Sequence, residues 1–356
     1  MRENGKLSSL FFFSNQESSN YRSLSQNSKL AMDIHKKLFS GLIKIKRNIH
    51  FIVLESFIDP RLIKNIIYNP SPLCQEMDPY LINGQFSHII SPSYGGDTAE
   101  AEFELLTGIK GHRIFDSIEF NTMRGGLISS FVSRLAKENY HTSATIASGK
   151  EYFNSIIAYK SIGFKQTIFL EDDVHFNRNK EDKHIFDGDL FNYNYDFFKK
   201  YKDTNSKPIF NYLLGMYGHI PFNRNKNQRP DLIQSNSTND NLYKVSNQFY
   251  YRTKALAQFI GKIQKIDSTS IIFISSDHLP PILSEDVSYQ FNNYVNISLL
   301  IDAKKIIDLT DKHYFEISWL LWDILIDEQV ERNVDPIEMQ DLYYKSLYES
   351  IFVVGN

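Results

Sequence analysis

The stretch Ser91-Pro-Ser-Tyr-Gly-Gly-Asp-Thr-Ala-Glu-Ala-Glu-Phe-Glu-Leu-Leu-Thr-Gly108 predicts a glycine-hinged loop that runs into a helix. Gly95 and Gly96 permit a tight backbone turn and a close approach to a ligand. Thr98 stands where the helix is expected to begin, and Gly108 suits its end. A hydroxyl at a helix N-terminus faces free N–H groups and the positive end of the helix dipole, which favours a phosphate and a nucleophile that attacks it. Taken alone, the same threonine is more simply a helix cap.

The composition is that of an ordinary globular chain. The sequence has 356 residues, of which 42% are hydrophobic and 23% charged, and its formal net charge is −3. This charge provides no basic field for nucleic acid, so we expect no nucleic-acid partner. The single cysteine, Cys74, excludes an internal disulfide and a cysteine-based metal cluster. No apolar run reaches the roughly 18 to 20 residues that a membrane span needs.

Apolar runs of strand-forming residues alternate with helical segments along the chain. This alternation predicts an α/β fold with a mainly parallel central sheet and helices on both faces. We divide the chain into an N-terminal arm and connecting helix (1–48), a catalytic domain (49–330) and a C-terminal helix packed on that domain (331–356). The basic side of residues 29–47 leaves open a peripheral contact with anionic lipid, although a solvated face is the simpler interpretation. Strands are predicted at 49–57, 140–147, 166–170, 208–216, 270–276 and 298–301, and helices at 29–46, 98–107, 125–138, 150–162, 246–266, 314–326 and 336–351.

Polar side chains follow three of the most apolar strands. Glu55 follows the first of them, His219 comes shortly after another, and the pair Asp277-His278 follows a third. Because the carboxyl ends of parallel strands share one edge of a sheet, we expect these groups to converge with Thr98. Carboxylate and imidazole groups suit a divalent ion such as Mn²⁺ or Zn²⁺. Such an ion would favour the alkoxide of a threonine and neutralise charge on phosphate oxygens.

Taken together, these blocks resemble the sulfatase and alkaline phosphatase superfamily. Within it, the catalytic domains of lipoteichoic acid synthases and of related phosphoglycerol and phosphoethanolamine transferases are the most similar, over about residues 49 to 330. Plain sulfatases carry a cysteine or serine in a different local context. The resemblance is carried by Leu54-Glu55-Ser56, Gly96-Asp-Thr98-Ala-Glu-Ala-Glu-Phe-Glu-Leu-Leu-Thr-Gly108, Gly215-Met-Tyr-Gly-His219-Ile-Pro-Phe222 and Ser276-Asp277-His278. Taken singly, each block also has a simpler interpretation as turn chemistry or as a hydrogen-bonded loop histidine.

The resemblance implies a nucleophile and a metal site. Thr98 would take up the phosphoryl group. Glu55, Asp277 and His278 would hold a divalent metal ion together with Thr98. Mn²⁺ is the first candidate for this ion, and Zn²⁺ and Mg²⁺ are the alternatives.

The resemblance also implies substrate contacts. His219 would bind the phosphate or the glycerol moiety and help to protonate the leaving group. His141 would contact substrate, and Gly96 would do so from the loop before the nucleophile. Relatives of the lipoteichoic acid synthase type carry a Trp-x-Arg-like pair where this chain reads Lys150-Glu-Tyr-Phe-Asn-Ser155, so their arginine is missing here.

We therefore predict a metal-dependent transferase that moves phosphoglycerol from a phospholipid or other phosphodiester donor to a glycan hydroxyl through a phosphothreonyl intermediate. Phosphoethanolamine transfer and a phosphodiesterase or sulfatase-type hydrolysis stay open, because the same residues serve all of these reactions. A non-catalytic glycan-binding protein of the same fold is the alternative from another class. The resemblance implies polysaccharide biosynthesis at a bacterial cell envelope, while the sequence itself leaves a cytoplasmic location open.

Overall fold

An eight-stranded sheet lies at the centre of the fold. The structure, a computed structural model, describes residues 29–113, 118–152, 154–177, 179, 181–284 and 286–352, so the predicted arm at 1–28 lies outside the described residues. The strands are β1 (Ile49–Leu54), β2 (Tyr68–Asn69), β3 (Ser87–Ile90), β4 (His141–Ile146), β5 (Gln166–Phe169), β6 (Ile209–Gly215), β7 (Gln234–Ser235), β8 (Ile271–Ser276), β9 (Val295–Asp302) and β10 (Lys305–Ile307). The helices are α1 (Lys29–Leu38), α2 (Thr98–Thr107), α3 (Ile118–Thr122), α4 (Phe131–Lys137), α5 (Ser155–Ile162), α6 (Asp187–Thr204), α7 (Asp240–Ile266), α8 (Tyr314–Ile326) and α9 (Pro336–Phe352).

The sheet is parallel at its centre and antiparallel at one side. Its order is β10-β9-β8-β1-β6-β4-β5, and β3 also pairs with β9. The strands β8, β1, β6, β4 and β5 are parallel, whereas β9 runs against β8, β3 and β10. All six residues of β1 are buried, as expected for a strand covered on both faces. The predicted α/β fold with a mainly parallel sheet is thus confirmed.

Helices cover both faces of the central strands. Successive residues of a strand point to opposite faces, and His50 and Phe51 in β1 show this directly. The ring of His50 contacts Phe198 of α6, with 4.5 Å between the ring centroids. On the other face, Phe51 contacts Phe210, which in turn contacts Phe131 of α4. Aromatic side chains therefore fill the core on each side of the sheet.

Several elements differ from the prediction in extent or existence. Helix α1 ends at Leu38 and α4 begins only at Phe131, so both are shorter than predicted, while α7 begins six residues earlier, at Asp240. Helix α6 and strand β3 were not predicted at all. At the other end of the chain, Tyr343 of α9 packs on Phe103 of α2, with 5.1 Å between the ring centroids. Among the described ranges, no helix combines the length and apolar character that crossing a bilayer requires.

Candidate active site

The carboxyl ends of β1 and β8 bring the predicted acidic residues together. The two strands are parallel neighbours with Leu54 opposite Ser276, so Glu55 and Asp277 leave adjacent strand ends. Both carboxyl groups and the imidazole of His278 are buried. One ligand atom from each of these three residues lies within 4.8 Å of the other two. The structure thus gathers groups that are more than two hundred positions apart in the sequence.

Thr98 joins this cluster through its hydroxyl group. It is the first residue of α2, after Asp97 in a left-handed backbone conformation with φ 65° and ψ 45°. Its Oγ1 lies 2.9 Å from Oδ2 of Asp277 and 3.2 Å from Oε2 of Glu55. The hydroxyl therefore faces two carboxylates as well as a helix N-terminus, which a simple cap does not require.

Ser56 orients both carboxylates. Its backbone is left-handed, with φ 49°, a conformation that is uncommon for a residue other than glycine. Its N–H donates to Oδ1 of Asp277 at 2.8 Å, and its hydroxyl donates to Oε1 of Glu55 at 2.7 Å. The N–H of His278 donates to the same Oδ1 of Asp277 at 2.6 Å. These bonds engage one oxygen of each acid and leave the second oxygen facing Thr98.

The electrostatics of the cluster favour a cation. Burial, together with the charge of Asp277, raises the pKa of Glu55 to about 7. Burial acts to lower the pKa of His278, but the carboxylates of Asp277 and Glu55 outweigh it and the pKa is raised. The Nε2 atom of His278 lies 3.3 Å from Asp277 and 3.5 Å from Glu55. Two buried acids that repel each other are stabilised by a positive charge between them.

The available donor atoms fit a divalent metal ion. Nδ1 of His278 lies 3.1 Å from the carbonyl oxygen of Leu279, so an Nδ1–H can donate there and leave Nε2 as the ligating atom. Two carboxylates, one imidazole and one hydroxyl are donors that Mn²⁺ and Zn²⁺ accept. Glu55, Asp277, His278 and Thr98 are the residues that would hold such an ion.

A buried ion pair between Arg252 and Asp187 holds the main chain of Glu55 in place. Nε of Arg252 donates to Oδ2 of Asp187 at 2.6 Å, and Nη2 of Arg252 donates to the main-chain oxygen of Glu55 at 2.9 Å. Gly218 packs against the same groups, since a Cβ at this position would lie 2.0 Å from the Glu55 oxygen. Neither member of the pair was predicted from the sequence. The signal that could have found Arg252 is a charge on the buried side of the amphipathic helix α7.

Two histidines flank the cluster. His219 is half-buried. Its positive charge acts to lower the pKa of Glu55 and so opposes the increase caused by burial and by Asp277. Its ring centroid lies 5.2 Å from that of His184, a residue that was not predicted to belong to the site. Burial and the charge of His219 lower the pKa of His184 to about 4, so this ring is neutral at neutral pH. Nδ1 of His219 lies 2.9 Å from the main-chain oxygen of Ile220, so its Nε2 is the nitrogen that can donate to an anionic phosphate group when the ring is protonated.

His141 lies away from the site, and the predicted substrate contact is wrong. It is the first residue of β4, opposite Ile209 at the start of β6, and so lies at the amino edge of the sheet. Its ring stacks on Tyr201 and its Nε2 lies 3.1 Å from Oε1 of Gln166. The residue opens a strand instead of ending one, which puts it a full strand length from the acids. Gly96 lies in the loop before Thr98, as predicted, and a Cβ there would meet no atom within 4 Å.

Comparisons with known proteins agree with this architecture. The lipoteichoic acid synthase LtaP from Listeria monocytogenes is 16% identical, with a TM-score of 0.64 over 92% of this chain and 98% of that chain. The phosphoglycerol transferase GacH from Streptococcus pyogenes, solved with sn-glycerol-1-phosphate, is 20% identical, with a TM-score of 0.62 over 92% and 90% of the two chains. The periplasmic domain of EcEptC from Escherichia coli, solved with Zn, is 14% identical, with a TM-score of 0.57 over 81% and 85%. At these identities the likeness shows the fold.

The sequence itself matches a curated relative and a family model. A putative cyclic beta-1,2-glucan modification protein of Rhizobium meliloti (strain 1021) is 23% identical over 242 residues, which are 67% of this chain and 36% of the relative. The chain thus spans about a third of that relative's length. The family model described as Sulfatase matches residues 47–305, which include Glu55, Thr98 and the pair Asp277-His278. Because this match covers well over half of the sequence, the chain belongs to the sulfatase family.

Proposed function

We propose that the chain is a metal-dependent phosphotransferase that moves phosphoglycerol, or a similar phospho-head group, from a phosphodiester donor to a glycan hydroxyl. The transfer runs through a phosphothreonyl intermediate on Thr98. The observation that carries the proposal is the contact of Oγ1 of Thr98 with the carboxylates of Asp277 and Glu55 at 2.9 Å and 3.2 Å. A hydroxyl so placed at a helix N-terminus can attack phosphorus beside a cation-binding cluster.

The first half of the reaction loads the enzyme. Oγ1 of Thr98 forms a bond to the donor's phosphorus, and the bond from phosphorus to the leaving oxygen breaks. The threonine proton passes to the facing carboxylate of Asp277 or Glu55, and protonated His219 gives a proton to the leaving oxygen. The free N–H groups at the start of α2 stabilise charge on the phosphate oxygens. A bound divalent ion would supply charge neutralisation and lower the pKa of the threonine hydroxyl.

The second half releases the group to the acceptor. A glycan hydroxyl forms a bond to phosphorus while the bond to Oγ1 of Thr98 breaks. Neutral His219 now accepts the proton of the glycan hydroxyl, and the carboxylate returns the proton to Thr98. The same groups thus work in both directions, so a single metal site serves both steps.

The names of the relatives support this choice of substrates. GacH is named a phosphoglycerol transferase, and the curated relative is named for modification of a glucan. A threonine nucleophile also agrees with phosphoryl transfer, because plain sulfatases carry a cysteine or serine there. We place the activity at the bacterial cell envelope, with a phospholipid as donor, Mn²⁺ as the first candidate ion, and a peripheral membrane contact through residues 29–47.

Substitution of the nucleophile tests the proposal. Thr98→Ala is expected to abolish Mn²⁺-dependent release of diacylglycerol from labelled phosphatidylglycerol. Ile337→Ala is the control, because Ile337 is 56% exposed and lies in α9, outside both the acidic cluster and residues 29–47. Turnover retained by Thr98→Ala would contradict its role as nucleophile. Purified protein that neither contains nor binds a stoichiometric divalent ion would favour the non-catalytic glycan-binding alternative.

A further inference from the structure

A cavity lies against the loop that precedes Thr98 and is lined by residues at the ends of β3 and β9 and in the first turn of α2. Its volume is about 480 Å³, within the range of about 300 to 1,000 Å³ that small-molecule sites occupy. The mechanism above makes no use of it. Its wall includes Ser93, Tyr94, Asp97, Glu100 and Tyr294.

Two polar atoms in the cavity wall are buried and have no hydrogen-bond partner among the described residues. They are Oγ of Ser93 and Oε1 of Glu100, and each residue is only 5% exposed. Buried polar groups in folded proteins are nearly always paired, so such atoms call for partners from outside the described part of the chain.

The chemistry of the wall favours a neutral polyhydroxylated ligand. Eight of the eleven residues that line the cavity have a polar side chain, which suits hydroxyl groups better than a lipid chain. The carboxylate of Asp97 would repel an anionic phosphodiester, and Arg113 is occupied by an ion pair with Glu104 at 3.1 Å. Tyr94 and Tyr294 offer aromatic faces for the C–H groups of a sugar ring and hydroxyls for its polar edge.

The same wall is fixed to the acidic cluster. The hydroxyl of Ser91 donates to the main-chain oxygen of Asp277 at 2.8 Å, and the N–H of Gly95 donates to the main-chain oxygen of Leu279 at 3.0 Å. Asp97, which lines the cavity, is the sequence neighbour of Thr98. A ligand held here would stand beside the nucleophile, on a loop that is anchored to the metal-binding segment.

We propose that this cavity is the acceptor subsite and that it binds a neutral sugar of the acceptor glycan. The inference rests on the proposed function, because the bound sugar supplies the hydroxyl that attacks phosphorus in the second half of the reaction. Donor and acceptor then approach Thr98 from different sides. The anionic donor lies toward His184 and His219, and the neutral acceptor lies toward Ser93 and Glu100.

A binding measurement tests the subsite without any chemistry. Isothermal titration of the full chain carrying Thr98→Ala, with cyclic β-1,2-glucan as the probe, is expected to show saturable binding. Adding Ser93→Ala or Tyr294→Ala should weaken that binding about tenfold, which is the usual scale for one lost contact. Tyr294→Phe keeps the ring and should bind more tightly than Tyr294→Ala. Absence of glucan binding, or equal affinity in all of these variants, would overturn the proposal.

A partition measurement separates this inference from the proposed function. With Mn²⁺ and labelled phosphatidylglycerol, the head group is released to water or transferred to cyclic β-1,2-glucan. Tyr294→Ala and Ser93→Ala should each lower the ratio of transfer to release about tenfold, through a higher KM for the glucan. An unchanged ratio would overturn the subsite while leaving the role of Thr98 intact. Absence of donor cleavage in the unsubstituted chain would instead contradict the proposed function.

Discussion

Substitution of Gly218 by alanine tests how closely the loop before His219 packs on the end of β1. The added Cβ would lie 2.0 Å from the main-chain oxygen of Glu55 and 2.5 Å from Nη1 of Arg252. Since real Cβ atoms essentially never come within 3.0 Å of other heavy atoms, the loop and the strand end must separate by about 1 Å. Overpacking of this kind costs about 1–3 kcal/mol of folding free energy. A displacement near 1 Å at catalytic groups costs on the order of 100-fold in rate.

We therefore expect Gly218→Ala to lower kcat/KM about 100-fold in the diacylglycerol-release assay, with a reduced melting temperature. The matched control is Gly261→Ala, in the same helix as Arg252, where the added Cβ would meet the hydroxyl of Tyr80 at 3.4 Å. Alanine inside a helix is favoured over glycine by about 0.5–1 kcal/mol, so this control should be active and slightly more stable. A Gly218→Ala protein with kcat/KM and melting temperature like the unsubstituted chain would refute the reasoning.

Arg252→Met leaves the carboxylate of Asp187 buried without its partner, and we expect a loss of about 3–5 kcal/mol in unfolding free energy from urea titration; a loss below 1 kcal/mol would contradict the pairing. The metal-free chain should lose stability as the pH rises from about 4.5 toward 7, because the native state holds the proton of Glu55 more tightly than the unfolded chain does. Addition of Mn²⁺ should restore the melting temperature at pH 7.5. Glu55→Gln should weaken the pH dependence of the melting temperature. Ser56→Ala and Ser56→Gly both remove the hydroxyl that holds Glu55 and should bind Mn²⁺ more weakly. Ser56→Gly should be more stable than Ser56→Ala by about 1 kcal/mol, because glycine adopts the left-handed backbone conformation without strain. Equal stability of the two variants would contradict the strain at this position.

Buried parallel strands were predictable because their sequences are continuous apolar runs. β1 and β8 are covered on both faces, so Ile49–Leu54 and Ile271–Ser276 contain no alternation that could be confused with a surface strand. The polar residues directly after these runs, Glu55 and the pair Asp277-His278, marked the edge at which they converge. His141 was assigned to the site through the resemblance alone. Its place at the start of the predicted strand 140–147 already indicated the amino edge of the sheet, opposite the acids.

Other elements depend on contacts that no local pattern displays. Helix α6, Asp187–Thr204, is rich in Asn, Asp, Tyr and Phe, which have modest helix propensity, and packing against α7 compensates for this. Strand β3 has only four residues and is fixed by antiparallel pairing with β9. The partners Asp187 and Arg252 are 65 positions apart, and only the folded chain shows that they meet.

On the proposed function, the pairing of β1 with β8 would make metal binding a late event in the synthesis of the chain. Glu55 is synthesised early, but its partners Asp277 and His278 come more than two hundred residues later. A ribosome-bound chain that stops before β8 therefore offers only the carboxylate of Glu55 and Thr98, and it lacks the other two ligands of a high-affinity metal site. Loading with metal would then require that all five parallel strands are in place, so the cation would bind a nearly complete fold instead of nucleating it.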